Sequence, residues 1–171
     1  MADRPIDKSY WVIPDRFLAS EYPGAHGAAR ARTKLELFLD AGVDFFVDLT
    51  EPDEGLEPYA ELLRELGDAR GVEVDHHRMA IVDGDIPSRE LMKEILDLID
   101  EALEQGRTVC VHCWGGVGRT GTTVGCFLVR RGSSGDAALH QVQKWFDTTP
   151  KHLRFSPETP TQARFVRDWR E

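Results

Sequence analysis

The sequence predicts an α/β fold in which helices flank a central, mostly parallel sheet. Short apolar runs rich in Val, Phe and Ile alternate with longer segments of helical period along the 171 residues. Two of these runs, Phe45–Leu49 and Thr108–His112, are compact and largely apolar, which is typical of central strands covered on both faces. The other predicted strands are Tyr10–Ile13, Phe17–Ala19 and Val72–His77.

Capping signals predict where the helices begin and end. Thr33 and Glu36 form a capping-box pattern, and Gly42 lies where a left-handed helix stop belongs. Ser88 is placed to cap a helix that ends before Gly106. The last three predicted helices are Arg119–Arg131, Ala137–Phe146 and Pro160–Trp169. A Gly-rich turn therefore joins the strand at 108–112 to the next helix, where α/β sheets place their ligand sites.

Length and composition predict one domain that covers residues 1–171. No stretch approaches the roughly 20 apolar residues of a membrane span. The beginning of the chain, with Asp3 and Arg4, does not have the character of a signal peptide, so we expect a cytoplasmic protein without a membrane partner. The net charge of −9 argues against binding to nucleic acid.

The three cysteines, Cys110, Cys113 and Cys126, are an odd number and too few for a disulfide scaffold. Cys110 and Cys113 form a C-x-x-C pair, but Cys110 lies inside a predicted strand rather than at a helix N-terminus, and no second pair exists for zinc. Neighbouring side chains of the run Asp75–His77 point to opposite faces of a strand. We therefore expect reduced thiols, no metal and no cofactor.

The Gly-rich turn carries the features of an anion site. Cys113 follows a strand and precedes a helix, so the next backbone N–H groups can point inward as a nest, and the helix N-terminus adds positive potential that favours a thiolate. Arg119, six residues after Cys113, can place a bidentate fork over a phosphate, and Thr120 can donate a hydroxyl to the sulfur. The predicted phosphate-binding residues are Trp114, Gly115, Gly116, Val117, Gly118 and Arg119.

The pattern His112-Cys113-x5-Arg119-Thr120 resembles the HCxxGxxR[ST] signature of protein tyrosine phosphatases of the compact dual-specificity type. The resemblance extends over about residues 10–169 and implies a dual-specificity-phosphatase-like fold. It further implies that the Cys113 thiolate attacks phosphorus to give a phosphocysteine, while Arg119 and the loop amides bind the phosphate oxygens. His112 would lie behind the loop and help to hold the thiolate. A Walker A loop fits poorly, because it needs Gly and Lys where Cys113 and Arg119 stand.

Two further roles follow from the resemblance, each with an alternative. Asp83, 30 residues before Cys113, matches the Asp-Gly position of the general acid, with Asp85 as its competitor. Both aspartates also suit a simple turn before a helix. Gln162 would position the water that hydrolyses the phosphoenzyme, but Thr159 and Gln162 also form a capping box.

The predicted substrate is a phosphoprotein or a small phosphorylated molecule, acted on by a monomer. The chain is short for a classical tyrosine-specific phosphatase domain, so the resemblance favours a shallower pocket that accepts phosphotyrosine as well as phosphoserine or phosphothreonine. The predicted cradle contains no Lys, which disfavours an inositol phosphate or phosphoinositide substrate without excluding it. A non-catalytic phospho-binding module and a rhodanese-like sulfur transferase are the other hypotheses.

Overall fold

The computed structural model describes residues 3–171, so the first two residues of the predicted domain lie outside the described residues. A five-stranded sheet forms its centre. The strands are β1 (Ser9–Ile13), β2 (Phe17–Ser20), β3 (Phe45–Asp48), β4 (Asp75–Arg78) and β5 (Val109–His112). The helices are α1 (Ala28–Asp40), α2 (Ala60–Arg70), α3 (Arg89–Glu104), α4 (Gly118–Arg130), α5 (Gly135–Phe146) and α6 (Pro160–Arg167).

The sheet has the strand order β1-β2-β5-β3-β4, and only β1 and β2 are antiparallel. This arrangement confirms the predicted α/β class with a mostly parallel sheet. In the central register, His112 at the end of β5 lies between Ser20 of β2 and Asp48 of β3. The loops that follow these three parallel strands therefore leave the same edge of the sheet, next to Cys113.

Each face of the sheet packs on its own hydrophobic core, because side chains alternate along a strand. Val109 and Val111 of β5 face the larger core, which α3, α4, α5 and α6 cover, whereas Cys110 faces the smaller core under α1 and α2. The helix α4 is the most enclosed of the six, since all ten residues from 118 to 127 are buried. The segment that begins at the Gly-rich turn therefore runs through the larger core.

Two predicted boundaries are wrong by three residues or more, whereas the others lie within two residues of the observed ones. The helix α1 begins at Ala28 rather than at Thr33, and the Thr33 hydroxyl donates to the Ala29 carbonyl at 3.1 Å, so Thr33 lies inside the helix. The strand predicted from Val72 begins at Asp75, because the Val72 amide donates to the Gly67 carbonyl at the end of α2. The predicted stop at Gly42 is confirmed by its positive φ of 84°.

The helix α2 was not predicted, and the reason lies at its start. Its N-cap, Tyr59, makes no side-chain cap hydrogen bond, so none of the usual capping residues announces it. Ser88, by contrast, accepts from the Leu91 amide at 3.0 Å at the start of α3, as predicted. Within residues 3–171, we find no helix that combines the length and apolar character of a membrane span.

Candidate active site

A pocket of about 280 Å³ opens at the carboxyl end of β5. The Gly-rich turn between β5 and α4 forms its base, and two other loops close its sides. Its lining residues are Asp83, Cys113, Trp114, Gly115, Val117, Gly118, Arg119, Lys151, Arg154 and Glu158. The structure thus brings Cys113, Arg119 and Asp83, three residues selected from the sequence, to one opening.

Cys113 lies at the base of this pocket with only 3% of its surface exposed. The Thr120 hydroxyl donates a hydrogen bond to its sulfur, and the Oγ1–Sγ distance is 3.1 Å. Cys110 and Cys126 are also free thiols, but both are buried in hydrophobic cores, and this burial raises the pKa of each well above its usual range. Cys113 is therefore the cysteine that combines access to the pocket with a hydroxyl donor.

Two glycines of the turn allow its close contacts with the rest of the molecule. Gly116 has a φ of 71°, and a β-carbon there would approach the backbone of Ser20 to 2.8 Å. A β-carbon on Gly118 would come within 2.9 Å of Gln162 Nε2. Gly116 packs against β2 and is not among the lining residues, whereas the other predicted cradle residues line the pocket.

The Arg119 guanidinium is buried and held from several sides. Both carboxylate oxygens of Glu54 accept from it, with 3.0 Å between Arg119 Nη2 and Glu54 Oε2. Arg119 Nη1 also donates to the Ile81 carbonyl at 3.0 Å. Burial alone would raise the pKa of Glu54, but the hydrogen bond from Arg119 lowers it overall. Because a bidentate ion pair fixes a planar guanidinium, Arg119 has a defined orientation toward the pocket.

Glu54 was not predicted from the sequence as a site residue, although its position in the chain was informative. It lies in the loop after β3, and β3 is a neighbour of β5 in a parallel sheet. Loops at the carboxyl ends of such strands form ligand sites, so acidic residues after Phe45–Leu49 were reasonable candidates. Choosing Glu54 over its acidic neighbours Glu51 and Asp53 required the structure.

Asp83 and Asp85 occupy different environments. The Asp83 side chain lines the pocket, is 61% exposed and places Oδ1 3.1 Å from Arg119 Nη2. Asp85 is turned toward its own loop, where its carboxylate accepts from the Ile86 amide at 2.8 Å and its carbonyl accepts from Gln162 Nε2 at 3.2 Å. The geometry therefore favours Asp83 as the acidic group that can reach a bound ligand.

Gln162 is fully buried and makes the helix cap that the sequence allowed. Its Oε1 accepts from the amides of Glu158 and Thr159, at 3.0 and 3.1 Å, while the Thr159 hydroxyl accepts from the Gln162 amide. Gln162 is not among the residues that line the pocket, although it lies directly behind Gly118. The capping role is thus observed, and the water-positioning role stays a prediction.

His112 lies behind the turn, fully buried, and links it to the sheet. Its Nδ1 is 3.2 Å from the Cys113 carbonyl, which can only accept, so Nδ1 carries the proton. Nε2 then accepts from the Tyr59 hydroxyl at 2.6 Å. Burial lowers the pKa of His112 to about 4, so the ring is neutral at pH 7.

The residues of the run Asp75–His77 have separate structural partners. Asp75 pairs with Arg107 at 2.6 Å, while His76 Nε2 lies 2.9 Å from the Asp48 carboxylate, and His77 stacks on an aromatic ring of the neighbouring strand. Burial alone would raise the pKa of Asp48, but hydrogen bonds from His76 and Thr50 hold it well below its usual range. A buried carboxylate is thus kept ionised on the sheet edge near His112.

The buried neutral His112 predicts a loss of stability in mild acid. An unfolded chain takes up this proton as the pH falls through about 6.5, whereas the folded chain resists until about pH 4. The free energy of unfolding should therefore fall by up to about 3 kcal/mol between these two values. Urea unfolding at a series of pH values measures this slope.

Two variants separate this contribution from that of other groups. His112→Asn should be less stable at pH 7 but should lose less stability between pH 6.5 and 4, because it lacks the titrating ring. His140→Gln, at an exposed position on α5, should keep the slope of the wild type. An unchanged slope in His112→Asn would assign the acid sensitivity to another group.

Three residues from the segment between α5 and α6 complete the pocket: Lys151, Arg154 and Glu158. Lys151 Nζ donates to the Gly115 carbonyl at 2.7 Å and lies 3.7 Å from a Glu21 carboxylate oxygen. Arg154 forms an ion pair with Glu158. The contact between Lys151 and Gly115 joins positions 36 residues apart along the chain, so no local pattern indicated that Lys151 reaches the turn.

Comparison with known proteins identifies the family. Residues 22–133 match a family model described as "Polymorphic toxin system, DSP-PTPase phosphatase". The chain is 29% identical over 129 residues to dual specificity protein phosphatase CDC14C of Homo sapiens and 30% identical over 130 residues to the tyrosine-protein phosphatase CDC14 homolog of Schizosaccharomyces pombe. Each alignment covers 70% of this chain but only 26% and 22% of the relative, so the chain spans about a quarter of their length.

A solved structure extends the similarity over nearly the whole chain. The crystal structure of Tk-PTP in its active form superposes with a TM-score of 0.71 at 28% sequence identity and covers 94% of this chain and 95% of its own. The pocket at Cys113 lies in a fold that this phosphatase shares. The chain therefore belongs to the DSP-PTPase family of cysteine-dependent phosphatases.

Proposed function

We propose that the protein hydrolyses phosphate monoesters on proteins, with phosphotyrosine and also phosphoserine or phosphothreonine as substrates, and that residues 1–171 form one phosphatase domain. One observation supports this most directly. The Cys113 sulfur lies at the base of a pocket that Arg119 also lines, with the Thr120 hydroxyl 3.1 Å away. This proximity supports the roles of Cys113 as nucleophile, Arg119 as phosphate-binding cation and Thr120 as donor to the sulfur.

In the first step, the Cys113 thiolate attacks phosphorus in line, so that a sulfur–phosphorus bond forms as the ester oxygen–phosphorus bond breaks. Arg119 and the amides of the turn bind the equatorial oxygens, which carry most of the transition-state charge. Asp83 gives its proton to the departing oxygen. Its position beside Arg119 and its exposure support this role, because the leaving group lies on the solvent side of the phosphate.

In the second step, water attacks the phosphocysteine and releases inorganic phosphate. Asp83, now a carboxylate, accepts the proton of this water, and the Thr120 hydroxyl stabilises the departing thiolate. Gln162 can position the water only if its side chain leaves its cap and turns into the pocket. His112 contributes by holding the Cys113 carbonyl and thereby the shape of the turn.

The human relative is named a dual specificity protein phosphatase, which supports the dual-specificity assignment, whereas the yeast relative is named a tyrosine-protein phosphatase, which supports tyrosine specificity alone. A second candidate substrate, an inositol phosphate, is favoured by a specific observation. Lys151 and Arg154 line the pocket although neither belongs to the predicted cradle. PTPMT1, whose fold is similar with a TM-score of 0.67 at 19% identity, was crystallised with PI(5)P.

A phosphate-release assay and a trapping experiment test the proposal together. We expect phosphate from peptides that contain phosphotyrosine, phosphoserine or phosphothreonine, and acid quenching should yield a phosphorylated peptide that contains Cys113. A soluble inositol polyphosphate in the same assay decides the second candidate. Binding of phosphopeptides without turnover would indicate a non-catalytic module. Turnover of thiosulfate, with no turnover of any phosphopeptide, would indicate a sulfur transferase.

Because Glu54 forms a bidentate ion pair with Arg119, we expect a loss of activity when the negative charge of Glu54 is removed. In Glu54→Gln the bidentate ion pair becomes a single hydrogen bond from the guanidinium to a neutral amide oxygen, so Arg119 is less fixed over the phosphate. We expect kcat/KM for an aryl phosphate to fall roughly 10- to 100-fold, since misplacement of a positioning group by about 1 Å costs about that much. Steady-state kinetics of purified variants measures the effect.

Asp53→Asn is the matched control, because it removes one acidic charge from the same loop at an exposed position. Its kcat/KM should stay within about twofold of the wild type, since exposed charges contribute little. Equal losses in the two variants would mean that the charge of the loop, and not the contact with Arg119, affects the rate.

A further inference from the structure

Exposed large hydrophobic side chains occur in the segments that line the active-site pocket. Among residues 3–171, the exposed large hydrophobic residues are Leu37, Val72, Val82, Trp114, Leu153 and Phe155. Trp114 lines the pocket itself, Val82 immediately precedes Asp83, and Leu153 and Phe155 flank Arg154. We call these last four residues the apolar rim.

The fold does not require this exposure. Leu153 and Phe155 are 90% and 78% exposed, so neither contributes to a core. Single exposed hydrophobic residues are ordinary on protein surfaces. Here, however, three separate segments that line one opening each carry such a residue at a lining position or directly beside one. Burying these side chains against a ligand would remove apolar surface from water. The rim therefore has the composition of a binding surface.

The charges around the rim indicate which kind of ligand fits. Arg154 is neutralised by Glu158, and Lys151 lies between the Gly115 carbonyl and Glu21. Asp83 adds a carboxylate at the same opening, and the whole chain carries a net charge of −9. An anionic bilayer would be repelled by this charge, whereas uncharged apolar side chains of a peptide would not.

We propose that the apolar rim binds apolar side chains that flank the phosphorylated residue of a protein substrate. The inference rests on the proposed phosphatase function and names the sequence context that the site prefers. Arg119 and the turn bind the phosphate, while Leu153, Phe155 and Val82 contact residues next to it. Selectivity then comes from Val82, Leu153 and Phe155. Turnover comes from Cys113, Arg119 and the turn.

The test compares two phosphotyrosine peptides that differ only in flanking residues, Leu and Phe in one, Ser and Gln in the other. We expect the wild type to prefer the apolar peptide about 10-fold in kcat/KM. The double variant Leu153→Gln/Phe155→Gln should lose most of this preference and keep its activity on para-nitrophenyl phosphate within about twofold. The double variant Leu37→Gln/Val72→Gln, away from the pocket, should keep both.

Binding measurements keep this test separate from the test of catalysis. Fluorescence anisotropy with Cys113→Ser gives the dissociation constants of both peptides without turnover, so it decides the rim even if no substrate is hydrolysed. Equal affinities for the two peptides would overturn the proposal. Turnover of phosphatidic acid in vesicles that exceeds that of a soluble short-chain analogue, and that is lost in the rim variant, would replace it with membrane binding.

Discussion

Replacing Cys113 with Ser should reduce hydrolysis of an aryl phosphate by roughly 10⁴-fold or more. The hydroxyl of Ser is neutral at pH 7 and a far weaker nucleophile than a thiolate, while the rest of the pocket stays in place. Because the side chain is nearly isosteric and only 3% exposed, we expect the fold and the binding of tungstate, a phosphate analogue, to persist. Initial rates with para-nitrophenyl phosphate and titration calorimetry measure the two properties.

Cys110→Ser provides the control for this substitution. Cys110 lies on β5, three residues before Cys113, but its side chain faces the other core. The variant should retain the activity of the wild type, with any cost confined to the melting temperature. Turnover by Cys113→Ser at a rate comparable with that of the wild type would exclude a phosphocysteine at this position.

Replacing Asp83 with Asn should reduce kcat by roughly 10²–10⁴-fold for phosphoserine peptides, whose alkoxide leaving group needs a proton. The loss should be much smaller for para-nitrophenyl phosphate, because its leaving group departs without protonation. Asn keeps an oxygen that can accept from Arg119, which limits the disturbance of the ion-pair network at 3.1 Å. The ratio of the two losses, measured by steady-state kinetics, reports on proton donation rather than on binding.

Asp85→Asn tests the competing assignment in the same loop. Its carboxylate accepts from the adjacent Ile86 amide and its carbonyl from Gln162, so the substitution should change the loop only slightly. Both kinetic constants should remain near those of the wild type. A dependence on the leaving group in Asp85→Asn but not in Asp83→Asn would reverse the assignment.

The elements predicted from sequence were those with a strong local signal. The strands β3 and β5 are continuous apolar runs, and Ser88 caps α3 directly. Thr33 was misplaced because a capping-box pattern also occurs inside a helix, where a Thr hydroxyl can bond to the preceding turn instead. The helix α2 was missed because its start at Tyr59 has no capping side chain.

The residues of the candidate site also fall into those that a local pattern predicts and those that only the fold brings together. Cys113, Arg119 and Thr120 belong to one short run, so their proximity follows from chain connectivity alone. Glu54, Tyr59 and Lys151 reach this run from other loops, and their proximity depends on the strand order and on packing. The neutral state of His112 likewise follows from its burial, which its position in the chain does not reveal.

The burial of α4 restricts both the local unfolding of the site and the positions at which mutations can change its substrate preference. The turn that carries Cys113 continues into a helix whose first ten residues are all buried, so exposing the turn by unfolding this helix would dismantle the larger core. Amide hydrogen exchange in α4 should therefore require global unfolding. The segments around Val82 and Leu153 lie outside this unit, so mutations can change substrate preference there without altering the nucleophile.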